Sequence, residues 1–209
     1  MNPLISAWTQ PKETIRYVLE YKTWSYSFFI LFLSSVSIGL TSFWGTDLLL
    51  DLPLFIIVIL GILSAFIGGL ISLFIASALY TWAGKWLGGA GNFNDMLQMV
   101  PIASIPYIWM MPIYLLLIIL FGKDLFIDTV NAAEPAIFST ISAVLLFTNL
   151  LTLGIGIFST IILSKGIGIV HHFSSWRGFG TVMIIFGFFL VLLIPLILLL
   201  VFILSAGGI

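Results

Sequence analysis

Two adjacent imidazoles, His171 and His172, have the clearest reach into chemistry of any residues in this chain, because histidine carries protons near neutral pH and ligates metals. Their spacing argues against both roles. Neighbours in sequence point in different directions on a regular element, so they do not form the i, i+4 pair of a helical zinc site. No carboxylate lies in their loop, KGIGIVHHFSSWR. They are expected to face the membrane interface or cap a helix, and replacing both with Ala is expected to leave assembly intact. The stretch GKWLGGAGNFND, from Gly84 to Asp95, could cradle phosphate in principle, but it lacks the G-x-x-x-x-G-K-[ST] order and the preceding strand of a P-loop. Asn149, flanked by Thr148 and Thr152, is the most polar site near the middle of any apolar run. Its amide is expected to hydrogen-bond another helix, with a substrate contact as the alternative. The hydroxyl residues have no base or metal at useful spacing, and there is no cysteine. No catalytic residue set, cofactor or metal site is expected, and the chain reads as a non-enzyme.

The elements that must position these residues follow from composition. At 61% hydrophobic and 7% charged, the 209 residues hold too little polar surface to cover a soluble globule, which carries about 25% charged residues. The mean hydropathy of +1.26 agrees. An all-α integral membrane protein is expected. The net charge of −1 excludes a broadly basic surface for nucleic acid.

Five apolar runs, at about 24–44, 54–83, 96–121, 135–164 and 178–204, are each long enough to cross roughly 30 Å of hydrocarbon. They make 24–209 a five-helix transmembrane domain, preceded by 1–23. In that first segment Ile15, Val18, Leu19 and Lys22 recur at helical spacing, with Lys12, Glu13, Arg16 and Glu20 opposite. A short amphipathic helix is expected there, either lying at the membrane surface or packed on the bundle. Gly68, Ser72 and Ala76, four apart on the second run, are expected to let another helix of the bundle approach closely.

Between the second and third runs, Gly84–Asp95 suits a tight re-entry into the membrane. Lys85 can meet the last carbonyls of one helix and snorkel to the headgroups, with Trp86 at interface depth. Gly88 and Gly89 allow positive backbone angles and close approach, while Asn92 and Asp95 can cap the next helix. This turn, with Trp176 and Arg177 in the later one, is the candidate partner-binding or structural surface. Pro101, Pro106 and Pro112 fall within the third run, which should be broken and should face the bundle so that its freed carbonyls are satisfied.

Charge orients the bundle. With a cytoplasmic N-terminus, Lys12, Arg16, Lys22, Lys85, Lys165 and Arg177 lie inside and only Lys123 outside, a strong positive-inside bias that places the C-terminus outside. The second and fourth runs both end in Lys followed by glycines, a weak internal echo of two hairpins dipping to the same side.

The W-x-x-P-x-x-T-I-R pattern at Trp8–Arg16, GKWLGG at Gly84–Gly89, V-P-I-A-S-I-P at Val100–Pro106 and, more loosely, H-F-S-x-W-R at His172–Arg177 together resemble the Yip1-domain family in its bacterial branch. The resemblance covers nearly the whole chain and implies five membrane helices with a cytoplasmic N-terminus. It also implies an accessory protein of the bacterial plasma membrane, with some relatives linked to ABC-type export and defence against toxic peptides. Eukaryotic members are associated with Rab GTPases through long N-terminal regions, an activity not carried over to the short segment here. Two functions are therefore expected in order. The first is a membrane adaptor that binds lipids and other membrane proteins, an ABC transporter or a second copy of itself among them. The second is a small transporter or channel with a path near the proline-broken third helix.

Overall fold

The computed structural model describes residues 1–128 and 135–206. Glu134, expected in the second acidic connector, and the tail beyond Ala206 lie outside the described residues. All regular structure among the described residues is helical, with no strand: α1 (Pro3–Thr9), α2 (Pro11–Tyr21), α3 (Trp24–Gly39), α4 (Leu54–Trp86), α5 (Phe93–Met99), α6 (Ile105–Ile108), α7 (Met111–Phe121), α8 (Pro135–Val170) and α9 (Ser175–Ala206). Short 3-10 segments join α5 to α6 and follow α7.

Among the described residues, three helices are long and apolar enough to cross a bilayer: α4, α8 over its stretch Thr140–Val170, and α9 over Ser175–Ile203. A fourth crossing of that kind exists only if α5–α6 and α7, bent by 45° at their junction, act as one span. Helix α3 has 16 residues, about 24 Å at 1.5 Å per residue, and it continues to Trp44 only as irregular turns held by Thr41 N–H to Ile38 O and Trp44 N–H to Thr41 O. Both turns at the far side of α4 and α8 are shorter than the sequence suggests. The second shrinks to His171–Ser174, because Gly166 and Gly168 stay helical and admit Met99 and Ser175 against the α8 backbone.

The third run is broken where its prolines fall. Pro101 sits in the 3-10 segment and Pro106 in α6, both buried, while Pro112 opens α7 on an exposed position. Carbonyls in this break accept hydroxyl hydrogen bonds. Ser27 Oγ donates to Gln98 O at 2.8 Å, Ser37 Oγ to Tyr107 O at 2.6 Å, Ser159 Oγ to Ala103 O at 2.5 Å and Ser104 Oγ to Pro101 O at 2.7 Å. Residues of α3 and α8 thus complete a backbone that cannot complete itself. The half before the bend faces the bundle, whereas α7 exposes Leu116, Ile119 and Leu120 and buries Tyr114.

The main core lies between α1–α2, α5, the 3-10 break and α8, where Ile15, Val18, Met96, Met99, Ile162 and Ile167 are fully buried. Of the two placements open to the N-terminal segment, the structure has it packed on the bundle. Gln98 Nε2 donates to Val18 O at 3.0 Å and Lys22 O at 2.7 Å, so a buried amide caps the last turn of α2. Trp8 stacks on Phe158 with centroids 5.0 Å apart, and Trp109 Nε1 donates to Leu4 O.

The close helix approach expected at Gly68 is a correction. A side chain at Gly68 would meet nothing within 4 Å, and the stripe with Ser72 and Ala76 lines an open groove facing Ile185 and Phe189 of α9. The tight crossing is α3 on α4, where a Cβ at Gly39 would overlap the Ile62 backbone and one at Gly61 would overlap the Gly39 carbonyl. At the opposite end from the basic turns, the connectors after α3 and α7 dock: Gly45 N–H to Leu125 O, Asp47 N–H to Phe126 O, and Lys123 Nζ to Leu50 O at 2.9 Å.

Candidate functional site

Helix α4 ends in a Schellman motif. Gly88 takes φ +81°, and the Gly89 N–H reaches back to Gly84 O at 3.0 Å. Helix α8 ends the same way, with His172 at φ +56° in the position of Gly88 and the Phe173 N–H on Gly168 O at 2.9 Å. The echo between the two hairpins is therefore present in the backbone. Asn92 then caps α5 by accepting from the Asp95 N–H at 2.8 Å, while its Nδ2 donates to the Asp95 carboxylate at 2.8 Å.

The two turns are joined by His171. It is buried, with 1% of its surface exposed. Its Nδ1 accepts from the Gly91 N–H at 3.1 Å, which assigns the proton to Nε2, and that atom lies 3.2 Å from the Tyr80 carbonyl. The Ala90 N–H also bonds the His171 carbonyl. A Cβ at Gly84 or Gly89 would overlap the ring, and one at Gly91 would lie 2.8 Å from Nδ1. Gly84 near the end of α4, with Gly89 and Gly91 of the first turn, thus makes a slot for an imidazole of the second, which Phe173 closes by stacking at 5.3 Å. Burial pushes the His171 pKa below its ordinary value; the Tyr80 hydrogen bond opposes this, and Lys85 and His172 reinforce it. The neutral ring is the one that fits.

The expectation that the histidines face the interface or cap a helix is corrected for His171. His172 is exposed, but His171 is the buried pin between the turns, and its removal is expected to carry a cost. Among the predicted site residues, Gly89 touches that pin and Lys85 acts on its charge. Gly88 supplies the left-handed turn residue, and Asn92 and Asp95 form the cap. Trp86 is 63% exposed and packs on Trp82 at 4.0 Å, outside the slot. Trp176 is 83% exposed and edge-on to Phe179, and Arg177 is exposed. Gly84, Gly91 and His171 were missed as a set, since their partnership spans 80 residues of sequence.

Asn149 is not brought to the turns. It is exposed on α8 and makes no hydrogen bond among the described residues. The polar contact between helices expected of it is made one turn on, where the Tyr114 hydroxyl meets the Thr152 hydroxyl at 2.9 Å. Cavities along α4–α9 and α7–α8 are apolar and open outward. No group of three or more metal-ligating side chains occurs among the described residues. A family model described as the Yip1 domain matches residues 5–205. No curated protein and no solved structure matches the chain.

Proposed function

The chain belongs to the Yip1-domain family, and from that membership we propose that it is a non-enzymatic membrane adaptor that binds another integral membrane protein. Five spans are proposed with it, α3 counted as a short first crossing and α5–α7 as one bent crossing. The N-terminus then lies in the cytoplasm of a bacterial cell and the C-terminus outside its plasma membrane.

The observation that carries this reading is Asn149. It lies in the middle third of α8 on a face formed by Leu146, Phe147, Leu150 and Leu153, each more than half exposed. An amide left unpaired in hydrocarbon is unfavourable by about 1–3 kcal/mol, a cost that a partner helix offering a donor or acceptor removes. The reading is also supported by the apolar character of the groove between α8 and α9 and of those along α4–α9 and α7–α8, where a conduit would need polar lining. An ABC-type export or toxin-defence complex is the partner class suggested by the bacterial resemblance.

The test is affinity purification from native membranes in gentle detergent, comparing the wild type with Asn149→Leu. A defined membrane complex that co-purifies with the wild type and is depleted with the variant is the expected result. Recovery of both proteins alone would overturn the adaptor reading and move the question to flux in liposomes.

A further inference from the structure

Two cavities meet at the basic end, where α2, α8 and α9 converge. The first, of about 510 Å³, is lined by Lys12 and Arg16 of α2, Lys165 of α8, and His172 and Phe173 of the turn that follows. Three side-chain cations therefore share one space, and no carboxylate is in its lining. Glu13 and Glu20 lie on α2 but not in this wall. The second, of about 560 Å³, is a lateral groove between α8 and α9 walled by Ile157, Ile161, Trp176 and Phe179. Lys165 and Ser175 line both. The combined surface is thus apolar along about 12 Å of α8, from Ile157 to Lys165, and cationic beyond it.

We propose that this surface binds one anionic phospholipid, with its phosphate held by Lys12, Arg16 and Lys165 and an acyl chain laid in the α8–α9 groove. Like charges gathered in one recess repel one another until an anion joins them, and a phosphodiester offers oxygens to both the ammonium groups and the guanidinium fork. Basic recesses between membrane helices at headgroup level select anionic lipids for this reason. The groove decides between a lipid and a free phosphate, because its apolar walls add binding energy only to a ligand with a hydrocarbon chain. Trp176 stands at the mouth, with its indole suited to the interface. The proposal does not depend on the adaptor reading.

The test is a lipid titration of the purified full-length protein in neutral detergent, read by native mass spectrometry, with phosphatidylglycerol and phosphatidylcholine as probes. One phosphatidylglycerol should bind about tenfold more tightly than phosphatidylcholine, and Arg16→Gln with Lys165→Gln should erase that preference. Lys165→Arg should retain it, and Lys123→Gln, at the opposite end, should leave it unchanged. Ile161→Trp, which fills the groove, should weaken phosphatidylglycerol binding. Should the double variant fail to fold in a melting assay, Lys165→Gln alone, on a half-buried side chain, gives the same reading with a smaller loss. Equal binding of the two lipids, or full preference in the charge-removed variants, would overturn the proposal. So would inorganic phosphate binding as tightly as the lipid, since the groove would then have no part.

Discussion

His171 and His172 are neighbours in sequence with opposite roles: one fills a slot made by three glycines, and the other sits exposed at a left-handed helix end. The slot predicts a compensation. Gly84→Ala forces a methyl group into the ring and should cost about 1–3 kcal/mol. His171→Ala opens a void and frees the Gly91 N–H, at a cost of roughly 2–4 kcal/mol. Combined, the two changes should cost less than their sum, because the added methyl occupies space that the ring has left. Melting temperatures of the single and double variants in detergent check this, and strict additivity would show that the contact carries no energy. A pH dependence follows from the same burial. Folding holds the His171 pKa below its ordinary value of 6.5, so the unfolded chain takes up the proton first. Stability should therefore fall as pH drops below about 6.5, and His171→Ala should flatten that fall. Sequence alone marks the glycines of Gly84–Gly91 as sites of close approach, but among them only Gly88 needs its freedom of φ. What approaches the others is an imidazole far along the chain, and no local pattern records such a pairing.

At the scale of elements, hydropathy makes α4, α8 and α9 legible because each is a long run of residues facing lipid. The prolines make the break between α5 and α7 legible too, since a missing donor is a local property. Which helices touch is not local, and the small-residue spacing misleads at Gly68. Gly61→Ala should lower stability by about 3 kcal/mol, because the obstructing atom is the Gly39 carbonyl, which has no rotamer to escape into. Gly68→Ala should be neutral or raise stability by up to about 1 kcal/mol, since the space there is open. Thermal unfolding of the pair decides it, and equal damage at both positions would mean that α3 and α4 do not cross as described. Helix α2 belongs to this scale as well. Its amphipathic pattern fits a membrane surface or a bundle equally well, and the Gln98 cap on Val18 and Lys22 is what commits it to the bundle.

For the whole molecule, six of the seven basic residues gather where α2 and the two turns meet, and Lys123 bonds Leu50 at the other end. A protein without cysteine is suited to testing the orientation that this distribution implies. Single cysteines placed at Lys12, Lys85 or Trp176 should react with an impermeant thiol reagent only from the cytoplasmic face, and one at Lys123 only from the outer face. Reaction of all four from one side would contradict the five-span arrangement. The adaptor reading itself rests on one outward amide, so the most direct measurement is photo-crosslinking from position 149 in native membranes. The account predicts a discrete product with another membrane protein, absent when the photoreactive residue is placed at Ile67 on the outer face of α4. Crosslinks to lipid alone from position 149 would contradict it.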